Sequence, residues 1–251
     1  MLELKHGKDY FSPSQLKKLF VSLGAFNGYL KKVWQPTSSM ELGTLIHHRL
    51  LEPEVYAEKY ITIDDKDIRA EIGGKRPTST KAYKEWRADA EEEAAKAGKT
   101  IISEFHDYLA NKIYRETVLS GIYDQYLSGG EAEKKFFGDA TGFDVDFPAH
   151  CIVDYLKEDV AVDLKTTSKP LDKFKYDANS MGYDVQASLT TDITKRPFVF
   201  VVVQTVEPYD IGVFTCSDEF YDRGDWKINK ALDNYEGWEN VHSSQIIYGE
   251  L

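Results

Sequence analysis

The run Ile152-Val153-Asp154-Tyr155-Leu156-Lys157-Glu158-Asp159-Val160-Ala161-Val162-Asp163-Leu164-Lys165-Thr166-Thr167 holds the residues whose types and spacing could do chemistry. Apolar positions on either side of the charged turn Lys157-Glu158-Asp159 read as two strands, and each strand brings one carboxylate. Asp163 and Lys165 stand two residues apart, which on a strand places them on one face. Paired carboxylates suit a hard divalent cation, Mg²⁺ or Mn²⁺, which takes oxygen ligands and keeps waters for a phosphate. Such an ion stabilises charge on phosphoryl oxygens, while the Lys165 ammonium positions or helps deprotonate an attacking water. The plain alternative is a solvated turn with a cross-strand ion pair. Against that alternative, a purely structural strand more often carries Thr or Val at both polar positions than Asp and Lys.

Two such strands need a scaffold, whose boundaries are written in capping residues. Ser12-Pro13-Ser14-Gln15 reads as a capping box with Pro at the first helical position, launching the pattern Leu16, Leu19, Phe20, Leu23. Ser38-Ser39-Met40-Glu41 reads as a second box, opening a helix that carries Leu42, Leu45, Ile46, Leu50 and Leu51 and stops at Pro53. A solvated helix is expected from Ser79 to about Gly98, with Glu91-Glu92-Glu93 on its wet face, and an amphipathic helix over 103–119 through Phe105, Leu109 and Ile113. Residues 60–63 read as a short strand. Gly73-Gly74-Lys75-Arg76-Pro77 reads as a loop whose basic pair suits a surface or a nucleic-acid backbone.

Helix period gives way to strand period near Gly129-Gly130. A hairpin of 134–137 with 143–147 around Gly138-Asp139-Ala140-Thr141-Gly142 is expected, then strands 151–156 and 160–166. A helix over about 175–194, strands 197–206 and 210–216, and a helix from Ser217 to about Trp238 complete the pattern. The fold class that follows is α/β (α+β): a mixed-sheet core over 129–251 flanked by helices, with a mainly helical part over 1–128, read together as one domain.

The 251 residues are 42% hydrophobic and 29% charged, an ordered globular composition long enough to bury a core without disulfides. Cys151 and Cys216 each lie in a strand-like run and read as buried reduced thiols; two cysteines exclude a four-cysteine iron–sulfur cluster. The longest apolar stretch, 198–203, is far short of the roughly 20 residues that span a bilayer. The N-terminus Met1-Leu2-Glu3-Leu4-Lys5-His6 lacks the apolar core of a signal peptide, so a cytoplasmic protein without membrane association is expected. A net charge of −11 argues against a protein that coats nucleic acid by bulk electrostatics, yet it leaves room for a local basic groove. No Gly-rich Walker loop is present, so no ATP-driven helicase activity is expected.

With Val153 in place of the family's Pro, Asp154, eight intervening residues and Asp163-Leu164-Lys165-Thr166-Thr167 resemble the core motif of the PD-(D/E)XK nucleases. Within that superfamily, Met40-Glu41-Leu42-Gly43-Thr44-Leu45-Ile46-His47-His48-Arg49-Leu50-Leu51-Glu52-Pro53 resembles the Gly-Thr-x-x-His…Leu-Leu-Glu-Pro segment of the RecE (exonuclease VIII) group. Tyr183-Asp184-Val185-Gln186 is similar to that group's helix after the catalytic strands, so the resemblance runs from about residue 10 to 215 in the right order.

The resemblance implies a restriction-endonuclease-like mixed sheet and a Mg²⁺ or Mn²⁺ site held by Asp154, Asp163, His47 and Glu131. Lys165 would orient the nucleophilic water and Gln186 would support the site, although the Tyr of the family's Gln-x-x-x-Tyr is Thr190 here. Read alone, His47 is a core or partly exposed helix residue; the resemblance moves it into the site, with His48 pointing elsewhere because successive helical residues do not share a face. Aligning on Thr141-Gly142 selects Glu131. Glu133, two residues on and able to share its strand face, is the other candidate, and a solvated pair is the plain reading.

The implied activity is metal-dependent exonuclease action on linear double-stranded DNA, 5′ to 3′. It would serve phage-type recombination with a single-strand annealing partner, in a ring-forming homo-oligomer. The alternatives are an endonuclease of the same superfamily and a catalytically silent DNA-end or protein-binding module. Thr166 and Thr167 could donate to phosphate but are also ordinary strand residues. Capping accounts for Ser14 and Tyr10, and packing for Trp86, Trp226 and Trp238.

Overall fold

Ser12 accepts the Gln15 N–H at 3.2 Å while the Gln15 side chain accepts the Ser12 N–H at 2.7 Å, a reciprocal box that starts α1 (Pro13–Val21). Leu16 and Leu19 of this helix are fully buried. Ser22 ends α1 and at once caps α2 (Leu23–Lys31) by accepting the Ala25 N–H at 3.0 Å, so a second helix stands where the sequence showed only a continuing apolar pattern. The computed structural model describes residues 10–33, 35–63 and 80–236. They fall into two units, Met1–Gln35 with Tyr126–Leu251, and Pro36–Gln125. The loop expected around Gly73–Pro77 and the expected helix end at Trp238 lie outside the described residues.

The unit Pro36–Gln125 contains α3 (Ser38–Leu51), α4 (Pro53–Lys59), β1 (Tyr60–Thr62), α5 (Lys81–Lys96), β2 (Thr100–Ile102) and α6 (Glu104–Leu119), and α7 (Ile122–Tyr126) follows. Thr37 caps α3 through the Met40 N–H at 3.4 Å. The box expected at Ser38 is displaced by one residue because Ser38 already has its place in the first turn. The helix stops before Pro53, as expected, with Glu52 outside the helical range, and Pro53 at once opens α4, where its missing N–H falls among donors that a first turn leaves unpaired anyway. Arg49 ties α3 to α6, donating to Asn111 Oδ1 at 2.8 Å and lying 3.8 Å over the Tyr114 ring. β1 and β2 pair in parallel.

The other unit is built on one mixed sheet. Its strands β3 (Glu131–Ala140), β4 (Phe147–Leu156), β5 (Ala161–Thr167), β6 (Phe198–Gln204) and β7 (Ile211–Thr215) lie in that order, β5 and β6 parallel and the other neighbours antiparallel. β6 is buried at every residue, as a strand with the sequence Phe-Val-Phe-Val-Val-Val-Gln requires. Helices α8 (Phe174–Ser180) and α9 (Tyr183–Thr194) make the crossover from β5 to β6, and α10 (Asp218–Glu236) follows β7.

Two expectations are corrected here. The tight hairpin around Gly138 does not form: Gly138 stays in the ladder opposite Ala149, β3 runs on to Ala140, and the strands expected at 143–147 and 151–156 are one strand beginning at Phe147. The single helix over 175–194 is two, because Gly182 takes a left-handed conformation (φ 64) that glycine adopts without strain. One buried cluster joins Phe11, Leu16, Leu19 and Phe26 to Phe147, Leu189, Ile228 and Tyr235; a second joins Val153, Ala161, Phe198 and Phe200 to Phe174 and Ala187. Together they fix α1, α2, α8, α9 and α10 against the sheet. No helix of the described residues is long and apolar enough to cross a membrane.

Candidate active site

The β4–β5 ladder pairs only Tyr155 with Val162 and Leu156 with Ala161. Beyond those pairs the two strands part, and Asp154 and Asp163 are the next residues on each side. Separation would leave the Leu164 N–H without a ladder partner; Asp154 Oδ2 accepts it instead, at 2.8 Å. One side chain thus repairs the ladder and fixes a carboxylate at the point of divergence.

Asp163 is almost fully buried, at 1% exposed. Its Oδ1 accepts from Gln186 Nε2 of α9 at 2.5 Å. Its Oδ2 lies at ion-pair distance from the Lys165 ammonium but accepts no well-directed hydrogen bond among the described residues. Burial, and then the Asp163 carboxylate, push the Asp154 carboxyl up to about 8; Lys165 and the Leu164 N–H oppose the shift, and Glu133 adds to it. Burial alone would lower the Lys165 ammonium, but the Asp163 and Asp154 carboxylates outweigh it and raise the group above its ordinary value. Lys165 is therefore a firmly protonated donor in the metal-free site.

The third carboxylate comes from β3. Glu133 stands between the pairs Ala132 with Tyr155 and Lys134 with Val153, hence opposite Asp154, and its φ of 50 is a left-handed value uncommon for a non-glycine residue. Carboxylate oxygens of Glu133 and Asp154 lie within 4.8 Å of one another. Glu131 is exposed and paired with Lys134 at 2.5 Å. The structure brings Glu133, not Glu131, to Asp154. Aligning the resembled family's Glu on Thr141-Gly142 selected Glu131, with Glu133 as the other candidate; the register of β3 on β4 sets Glu133 opposite Asp154. Crowded carboxylates, one raised toward neutrality and one carrying an oxygen without a hydrogen bond, are a donor set that fits a hard divalent cation.

The chain matches, over residues 12–245, the family described as PDDEXK-like domain of unknown function (DUF3799). It belongs to this family. No curated protein matches it in a sequence search. Among solved structures, a protein of Eubacterium rectale described as a presumed exonuclease superposes with a TM-score of 0.61 at 12% identity, covering 100% of this chain and 97% of that one, which shows a common fold. An alkaline exonuclease from Laribacter hongkongensis is 13% identical over 70% of this chain and 95% of that one, and its TM-score of 0.31 carries no argument.

In this PDDEXK-like domain the remaining expected residues are distributed as follows. His47 lies half-buried on α3, in the unit Pro36–Gln125. His48 is engaged locally, its Nδ1 2.8 Å from the Tyr60 hydroxyl. Thr167 accepts from the Lys169 N–H at 3.0 Å, a turn contact. Thr190, at the family's Tyr position, is buried and hydrogen-bonded to Cys151, whose thiol burial pushes up to about 11. Trp86 lies against Tyr83, and Trp226 meets Phe20 edge-on while remaining largely exposed.

Lys17 escaped the sequence reading, and Tyr183 and Asp184 entered it only as part of a helix segment. The Tyr183 ring lies 5.0 Å from the Lys165 ammonium and 5.1 Å from that of Lys17. Lys17 is lowered to about 8, by burial first and by Lys165 second. Nothing in the spacing of α1 marks Lys17; only the packing of α1 beside α9 brings it there. Asp184, next to Tyr183, is fully buried and held by Arg223 at 2.7 Å and Lys227 at 2.6 Å.

Proposed function

We propose that this PDDEXK-like domain is a divalent-metal-dependent nuclease that hydrolyses phosphodiester bonds of linear double-stranded DNA as an exonuclease. The observation that carries the reading is the junction of β4 and β5, where the Asp154 and Asp163 carboxylates face one another electrostatically beside the Lys165 ammonium. In the proposal Asp154, Asp163 and Glu133 hold Mg²⁺ or Mn²⁺, and His47, on the resemblance of residues 40–53, is a further ligand. Glu131, paired with Lys134, is left outside the site. When bound, the cation supplies charge stabilisation at the phosphoryl oxygens and an acidified water.

The chain's own groups divide the remaining work. Gln186 fixes the Asp163 carboxylate through its amide. Lys165, held protonated between two carboxylates, orients the attacking water and donates toward developing negative charge; its raised pKa argues against a role as proton acceptor. A 5′ to 3′ direction, a ring-shaped homo-oligomer and a single-strand annealing partner belong to the proposal through the RecE-group resemblance.

The test compares end-labelled linear duplex, nicked circle and closed circle with Mg²⁺, Mn²⁺ or EDTA, using wild type, Lys165→Ala and His47→Ala. Shortening of linear DNA alone, abolished by EDTA and by either substitution, is the expected result. Cutting of closed circles would replace the exonuclease by an endonuclease, and no cutting with any metal would leave a binding module.

A further inference from the structure

A cavity of about 470 Å³ opens between α1, the α8–α9 junction and α10. Its walls include Ser14, Lys17 and Lys18 of α1, Asn179 and Tyr183, and Lys227 of α10, and none of its lining residues is acidic. In a chain of net charge −11, three lysines around one cavity without a carboxylate are a local reversal of sign.

Folding fixes this surplus. Asp184, next to Tyr183, is shared by Arg223 and Lys227, two cations on one carboxylate, which leaves one positive charge over. No carboxylate of the described residues lies at ion-pair distance from Lys17. Its stem crosses Gly182, where a Cβ would stand 3.3 Å from Lys17 Cγ, so glycine at this position leaves the lysine its path to the Tyr183 ring. The Lys165 ammonium also lies 5.0 Å from that ring, so one residue of the cavity wall, Tyr183, touches a residue of the candidate active site. Burial first, then the like charge of Lys165, lower the Lys17 ammonium, with the Asp163 and Asp184 carboxylates opposing in part, and an anion in the cavity would favour its charged form.

We infer that this cavity seats phosphate of the nucleic-acid backbone beside the bond being cut, with Lys17 and Lys18 as its direct contacts. The identity of the ligand as DNA rests on the nuclease reading; the surplus of positive charge does not. Phosphodiester is the chemistry such a site recognises, since a cluster of ammonium groups offers charge and donors without base-specific geometry. Free inorganic phosphate shares that chemistry, and the test separates the two.

Binding of a short fluorescein-labelled duplex is measured by anisotropy in EDTA, so that no cutting intervenes, across about 50 to 200 mM salt. Wild type is compared with Lys17→Gln, Lys18→Gln, the double variant and Lys17→Arg. Each lost phosphate contact removes about 0.9 from the slope of log affinity against log salt, so the double variant loses about 1.8 and binds roughly tenfold or more weakly at low salt. Lys17→Arg keeps the wild-type slope. Should Lys17→Gln fail to fold, the exposed Lys18→Gln carries the test with a slope change of about 0.9.

An unchanged slope and affinity in a folded double variant overturn the inference. So does a wild type that binds no duplex, or a cavity where inorganic phosphate raises the melting temperature in a Lys17-dependent way while DNA affinity is indifferent to the substitutions. A wild type whose DNA binding depends on Lys17 and Lys18 but which cuts nothing with Mg²⁺ or Mn²⁺ leaves the inference standing and removes the nuclease reading.

Discussion

If the proposed cation binds between the Asp154 and Asp163 carboxylates, its affinity is governed by a proton. With the Asp154 carboxyl pushed up to about 8 by burial and by the Asp163 carboxylate, that group keeps its proton at neutral pH in the metal-free site. A cation binds the ionised form, so affinity rises with pH and levels off above the pKa. For one displaced proton the apparent Kd for Mn²⁺ falls about ninefold from pH 6 to 7, about fivefold from 7 to 8, and about twofold from 8 to 9. A carboxylate near its ordinary value of 3.8 would contribute no slope in this range. Isothermal titration calorimetry at pH 7, in two buffers of different ionisation enthalpy, counts the released proton directly, and about 0.9 is expected. A His47→Gln control removes any imidazole contribution, and Asp154→Asn should flatten the profile. A wild-type Kd constant between pH 6 and 8, with no proton released, would refute the argument that these carboxylates are crowded.

The same shift sets stability. Between about 4 and 8 the folded metal-free chain keeps a proton that the unfolded chain has lost, so the stability contributed by Asp154 is full at low pH and declines as pH rises through that window. Asp154→Asn in EDTA at pH 8 should therefore melt higher than wild type, by about 2–8 °C if relief of the repulsion is worth about 1–2 kcal/mol, while losing the Mn²⁺-induced shift. Lys165→Ala should lower kcat about 10²–10⁴-fold without weakening Mn²⁺ binding, read by single-turnover cleavage beside a thermal titration. Gln186→Ala leaves a buried carboxylate oxygen without its donor and should cost about 1–3 kcal/mol in urea unfolding. Glu133→Ala should weaken Mn²⁺ at least tenfold by calorimetry, whereas Glu131→Ala should leave the Kd within about twofold, its surface pair being worth at most about 1 kcal/mol.

What could be read from the sequence was whatever is local. Ser12 and Gln15 cap as their types require, and Asp163 and Lys165 share a strand face because the strand period is two. The mixed sheet followed from the change of period near Gly129. Registers across the chain were not legible, since they depend on where a turn falls. Gly138 looked like a turn glycine and is a ladder residue, and the alignment on Thr141-Gly142 could not show that Glu133, rather than Glu131, falls opposite Asp154. Lys17 could not be found at all. On its own helix it is one lysine beside Lys18, and its meaning comes from Gly182 and Tyr183, more than 160 positions later.

The opening between β4 and β5 explains why function and fold are hard to separate here. Two strands that part lose ladder hydrogen bonds, and a buried N–H left unpaired costs about 1–3 kcal/mol. Asp154 meets that cost at Leu164, so the divergence that makes room for a cation is sustained by one of the groups that would bind it. An isosteric Asn keeps an acceptor for the Leu164 N–H and removes the charge; Ala removes both. If the hydrogen bond holds the junction, Asp154→Ala must be the less stable of the two in EDTA, although both lose metal. Equal melting temperatures would mean that the strands part for reasons of packing alone, and that the carboxylate is there only for the ion.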